Sequence, residues 1–208
     1  MASKDLRKRG NFQRESGPKG KAGKAEKKLI DALRKNLDNR IYEINEHPSD
    51  FRHLYENLVL PEKDSSEIFN PSEKAMETAR KRGWGVAPDF SIKNKKTGKI
   101  LFGEIKRQDG WVEGKKSSAG RGNVHERMCK LFTPGLMKVY KKKSKIKSND
   151  ILPFWVVFEG DITRDPKRNR EIAFWFDKFD KNYFMWRPQM TDKDLVDHFN
   201  NYLKKYLD

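Results

Sequence analysis

VAPDFSIKNKKTGKILFGEIKR, residues 86–107, reads as two strands and a turn, and the fold follows from it. Val86–Lys93 and Lys99–Arg107 are β-runs, and Asn94-Lys95-Lys96-Thr97-Gly98 between them has turn composition. Phe90, Ile92, Leu101 and Ile105 stand at alternating positions, so one face of the hairpin is buried. Residues i and i+2 of a strand face the same way, and Glu104 and Lys106 therefore emerge together. A turn centred near Lys96-Thr97 sets Asp89 opposite Glu104, within one residue of register. Side chains opposed in this way have Cβ atoms about 5 Å apart. Two carboxylates at that distance repel unless they share a cation, and hard oxygen ligands suit Mg²⁺. A lysine beside such a pair completes the groups a metal-dependent phosphodiesterase needs: two ligands and a side chain to assist water.

Glu-x-Lys alone is a common triplet, and this chain has two more, Glu26-Lys27-Lys28 and Glu113-Gly114-Lys115. The first falls on a predicted helix, where i and i+2 point apart. The second falls in a Gly/Ser-rich loop, Gly110–Gly122. Pro88-Asp89 is the sole Pro-Asp in the chain, and it opens the strand expected to pair with Glu104-Ile105-Lys106.

Downstream of the loop, a helix is expected from Asn123, with Glu126 three residues on as a capping box. Thr133-Pro134 should end that helix before a second one running through Lys143. Ile151–Glu159 is nearly continuous apolar sequence, the mark of a strand covered on both faces. Glu171–Phe176 reads as the neighbouring strand. Thr191-Asp192-Lys193-Asp194 caps a last helix with Leu195, Phe199, Tyr202, Leu203 and Tyr206 as its buried face.

Upstream, Asn70-Pro71-Ser72-Glu73 starts a helix with Asn70 as cap, and Gly83 ends it. Residues 41–69 support only short helical pieces. Leu29, Leu33 and Leu37 form the apolar stripe of a first helix from about Lys24. Residues 1–23, basic and broken by Gly10, Gly17, Gly20 and Gly23, have too little apolar surface to order themselves and read as a mobile arm. The expected fold class is α/β, a central mixed β-sheet flanked by helices, with residues 24–208 as one domain.

The chain has 46 Lys and Arg against 30 Asp and Glu, a formal charge of +16, which points to a polyanionic partner with nucleic acid foremost. No apolar run approaches the roughly 20 residues that span a bilayer, and no apolar stretch follows the N-terminal charges, so the cytoplasm is the expected compartment. A single cysteine, Cys129, excludes an intramolecular disulfide and a thiolate zinc cluster. His47, His53, His125 and His198 lack a ligand spacing.

A second segment bears on what such a nuclease would read. Gly120-Arg121-Gly122-Asn123-Val124-His125-Glu126-Arg127 leads from the flexible loop into a helix start, within an expected DNA-reading stretch 117–130. Arg pairs bidentately with guanine and Asn with adenine, and Glu accepts from a base amino group. The residues alone leave three readings open: a site-specific endonuclease, a structure-specific nuclease for junctions or repair, and a non-catalytic basic DNA-binding module.

Pro88-Asp89, fifteen residues to Glu104, then x-Lys106, resembles the PD-(D/E)xK nuclease superfamily. That resemblance implies a restriction-endonuclease-like core in which Asp89, Glu104 and the Ile105 carbonyl bind Mg²⁺ and Lys106 positions water. In some members an N-terminal helix acid also approaches the metal, and the residue in that place here is Glu26. Gly122-Asn123-x-x-Glu126-Arg127 is similar to the segment with which EcoRI-like type II restriction endonucleases read an AATT core, and most similar to those whose target is CAATTG. The likeness implies a homodimer that cuts a palindrome in double-stranded DNA, leaving 5′ overhangs with 5′-phosphates. Asn123, Glu126 and Arg127 would contact adenines and Arg121 the outer base pair, and the host would carry a cognate DNA methyltransferase.

Overall fold

Strand β4 (Phe154–Glu159) is buried at each of its positions, as a strand covered on both faces must be. It lies in a five-stranded mixed sheet of order β1-β2-β3-β4-β5, in a computed structural model that describes residues 21–56, 58, 72–83, 85–108 and 124–208. β1 (Tyr42–Glu46), β2 (Phe90–Asn94) and β3 (Ile100–Arg107) are antiparallel neighbours, and β3, β4 and β5 (Tyr183–Trp186) run parallel. Among the described residues the helices are α1 (Lys21–Asn36), α2 (Glu73–Arg82), α3 (Val124–Leu131), α4 (Pro134–Ser144), α5 (Pro166–Phe176), α6 (Asp192–His198) and the short C-terminal α7 (Lys204–Leu207). The mixed sheet with flanking helices is the architecture expected from the sequence.

Strand alternation gives the sheet two cores. Ile92, Leu101, Ile105, Trp155 and Val157 pack with Leu29 and Leu33 of α1 and with Leu195 and Phe199 beyond it. On the opposite face Phe102 and Phe154 meet Tyr140 of α4, and Phe154 meets Phe176 of α5, all edge to face. The turn of the β2–β3 hairpin is fixed from within and from the C-terminal helix. Asn94 Oδ1 accepts from the Lys96 and Thr97 N–H groups, and Gly98 takes φ +70°. Thr97 Oγ1 donates to the Leu207 carbonyl at 2.7 Å, and Tyr42 Oη donates to Asp208 at 2.5 Å.

The chain divides into two compact units, one holding Asp89–Asp208 with the chain up to Glu46, the other His47–Pro88. In the second unit Phe51 is fully buried, and a Cβ on Gly85 would stand 1.7 Å from the Phe51 carbonyl oxygen. Gly83, at φ +81°, terminates α2 as expected. At the start of α2 the Ser72 hydroxyl accepts from Ala75 N–H, as a capping side chain does. Asn70 and Pro71 lie outside the described residues.

Other expectations are corrected. Glu171–Phe176 is helix, not strand. Asp165 caps it by accepting from the Lys167 and Arg168 N–H groups, Pro166 fills the first turn, and Ile172 and Phe176 bury at helical spacing. The true neighbour of β4 is β5. It is set by the buried Asn182, whose amide donates to the Leu152 and Phe154 carbonyls while its oxygen accepts from Leu152 N–H. Residues 42–46, not expected as a strand, form β1. α1 begins at Lys21, so the last residues assigned to the arm are helical, while 1–20 lie outside the described residues. The capping box of Thr191 and Asp194 is present. Beyond it Phe199–Leu203 is a π-turn, which shifts the helix phase, leaving Tyr202 exposed and burying Leu207.

Candidate active site

Continuing the β2–β3 register one step past Phe90↔Gly103 sets Asp89 against Glu104. Asp89 itself lies just before the strand. Its Oδ2 accepts from Ile105 N–H at 2.8 Å, so a side chain takes the place of a ladder partner where β2 begins. Glu104 is 1% exposed. Lys106 Nζ lies 2.5 Å from Glu104 Oε1 and 3.6 Å from Asp89 Oδ2. The two carboxylates thus converge on one ammonium, as the strand alternation required.

The main chain adds an oxygen. Phe102 N–H donates to the Pro153 carbonyl and Gln108 N–H to the Glu159 carbonyl, so even-numbered peptides of β3 face β4. Ile105, of opposite parity, turns its N–H and carbonyl toward the β2 side, where Asp89 stands. Two carboxylates and a carbonyl are hard donors of the kind a divalent cation takes, and their two negative charges exceed the one positive charge of Lys106. The donor set fits such an ion.

Gly103 makes this geometry possible. A Cβ there would sit 2.0 Å from the Phe90 ring, which lies directly over the strand beside Glu104. A glycine inside a strand pattern signals close approach, and the sequence itself carries that signal. What sequence reasoning missed is the brace on the other face. Arg107 donates to Glu159 Oε2 at 3.1 Å, Lys28 Nζ stands 3.9 Å from Glu159 Oε1, and the same ammonium lies 3.8 Å above the Trp186 ring. Glu159 is paired in register with Arg107, so this brace ties α1 to the strand end that carries Glu104 and Lys106. Nothing local in the sequence joins positions 28, 107 and 159.

Glu26 lies half-buried on α1, and among the described residues no three Asp, Glu, His or Cys side chains are grouped so as to hold a metal ion. Arg121, Gly122 and Asn123 lie outside the described residues. Glu126 and Arg127 fall on α3, with their side chains outside that description. Among the described residues no helix is long and apolar enough to cross a membrane.

A family model described as type II restriction enzyme MunI matches residues 1–208. A curated type II restriction enzyme MunI from Mycoplasma sp is 54% identical over 208 residues, covering 100% of both chains. A crystal structure of MunI restriction endonuclease in complex with cognate DNA shares 55% identity and superposes with a TM-score of 0.76, over 95% of this chain and 98% of that one.

Proposed function

Since the chain belongs to the MunI family of type II restriction enzymes, we propose that it cleaves double-stranded DNA at the palindrome CAATTG as a homodimer, using Mg²⁺ held by Asp89, Glu104 and the Ile105 carbonyl. A type II restriction enzyme is a site-specific DNA endonuclease, and the class generally needs a divalent metal. The observation that carries the catalytic assignment is the convergence of Asp89 and Glu104 on Lys106 Nζ. When bound, the ion supplies positive charge to the scissile phosphate and favours ionisation of water.

The chain's own residues do the remaining work. Lys106 has three N–H donors, so one directed at Glu104 leaves others to orient the attacking water and to meet charge growing on the phosphate oxygens. Glu104, buried, holds the ammonium in place. Asp89, by accepting from Ile105 N–H, keeps the peptide that offers the carbonyl in register. Attack in line with the P–O3′ bond yields a 5′-phosphate and a 3′-hydroxyl.

Asn123, Glu126 and Arg127 read the AATT core in this proposal, with Gly122 allowing close approach and Arg121 addressing the outer pair. A duplex partner accords with the charge of +16 and with the cognate DNA held by the homologous crystal structure. Such an enzyme works in the cytoplasm beside a methyltransferase that protects host sites. Incubation with unmethylated plasmid and Mg²⁺ should give discrete fragments with AATT overhangs, and EDTA should abolish cutting. Asp89→Asn should lower cleavage at least about 100-fold while site-specific binding persists. Wild-type protein that never cuts with any divalent metal would refute the assignment.

A further inference from the structure

The outward face of α1 carries more positive charge than its own fold uses. The helix has six basic residues against two acidic ones. At about 100° per residue, Lys24, Lys28 and Lys35 fall on one stripe with Lys27 beside it, opposite the buried Ala25, Leu29 and Leu33. Lys28 is engaged by Glu159 and Trp186. Lys24, Lys27 and Lys35 are exposed and hold no ion pair among the described residues. Asp31 lies four residues from both Lys27 and Lys35, the spacing at which Lys81–Glu77 and Lys193–Asp197 close to 2.6 Å, yet it closes neither pair. Like charges at this spacing repel, so the stripe costs the free protein stability that a polyanion would restore.

These lysines line an open groove of about 370 Å³ with Asp31, Ala32 and Asp192. Its position suits a duplex. Lys28 meets Glu159 and Trp186, the last residues of β4 and β5, and Glu159 is level with Arg107, the residue after Lys106. Lys28 therefore sets the stripe beside the strand ends that carry the proposed catalytic residues, and from Lys24 to Lys35 it extends for about 16 Å at 1.5 Å per residue. Duplex DNA carries one phosphate charge per about 1.7 Å of axis, so a stripe of that length can meet several.

We propose that Lys24, Lys27 and Lys35 form a phosphate-contacting track for the duplex that flanks the recognition sequence, a surface separate from the base-reading segment. The proposal rests on the chain's being a site-specific DNA endonuclease. It is tested with the full-length chain, wild type and a Lys24→Gln/Lys27→Gln/Lys35→Gln variant, in EDTA. Binding is measured against salt on two duplexes with the same site, one flanked by about ten base pairs (one helical turn) on each side and one ending just outside it.

On the long duplex, the expected log–log salt slope is shallower in the variant by about 0.9 for each phosphate that the lysines no longer neutralise, and on the short one the slopes coincide. Coincident slopes on both duplexes, or equal flattening on both, overturn the flanking track. Should the triple variant not fold, Lys27→Glu alone decides, with the same expected pattern and the same overturning results. Because the slopes are read without cleavage, a wild-type protein that cuts no plasmid refutes the endonuclease reading and leaves the slope comparison legible.

Discussion

Glu104 is a buried carboxylate that the fold tolerates because Lys106 stands 2.5 Å away. Two side chains on one strand face thus stabilise each other and together present the chemistry. For base reading, replacing Asn123 or Arg127 by Ala should cost about 1–3 kcal/mol of discrimination per bidentate pair removed, measured as cleavage rates on CAATTG against singly altered sites. Equal rate reductions on all sites would mean these residues do not read bases. A different residue sets a pH limit on the fold. His198 stacks on Trp155, touches the Phe184 and Tyr202 rings, and its Nε2 lies 2.9 Å from the Lys181 carbonyl. Burial pushes its pKa below the ordinary value, outweighing the hydrogen bond to the Lys181 carbonyl, which raises it, while the Lys181 charge lowers it and the Asp180 charge raises it. A depressed folded-state pKa means that stability is fully present above the usual histidine range, about 6.5, and is lost as pH falls through the folded value. The urea midpoint of the wild type should therefore fall between about pH 7 and about pH 5 more than that of His198→Phe.

At the scale of elements, β3 is the platform for the proposed catalytic residues and the hairpin is its alignment device. The turn end is held by Asn94, Thr97 and the C-terminal helix, which leaves the far end, with Asp89 and Glu104, to be set by the Phe90–Gly103 approach. Gly103→Val should destabilise the protein by about 1–3 kcal/mol, because the Phe90 ring must move and the strands part. Denaturant midpoints measure the cost, and combining it with Phe90→Ala should recover part of it. A valine accepted at no cost would show that the ring is not held against β3. The Arg107–Glu159–Lys28 brace belongs to the same scale, since it joins β3, β4 and α1 at the strand end that carries Glu104 and Lys106.

For the molecule as a whole, charge is the organising quantity. A chain of +16 is drawn to DNA before any base is read, and that attraction weakens with salt. Removing residues 1–20 should weaken binding to cognate and unrelated duplexes alike and flatten the salt slope by about 0.9 for each phosphate the arm neutralises. Binding isotherms across a salt series check this, and an unchanged slope would mean that the arm does not touch DNA. A palindromic target is matched by two-fold symmetry in the protein, which is why a homodimer belongs to the proposal.

Much of this was decided locally and is legible in the chain. The alternation of Phe90, Ile92, Leu101 and Ile105 placed Glu104 and Lys106 on one face, and the turn composition brought Asp89 opposite, because hairpin pairing is set by neighbours in sequence. The all-apolar 154–159 run and the Thr191–Asp194 cap are equally local signals. Tertiary structure decided what depends on distant partners. Glu171–Phe176 has an apolar run that fits either period, and the Asp165 cap and the fit of Ile172 and Phe176 against the sheet made it helix. β5 was chosen by Asn182 binding the start of β4, about thirty residues upstream. β1 exists because β2 offers it an edge. The hairpin's acids were therefore readable one strand at a time, whereas the brace that steadies them came into being only when positions 28, 107 and 159 met across the packed sheet.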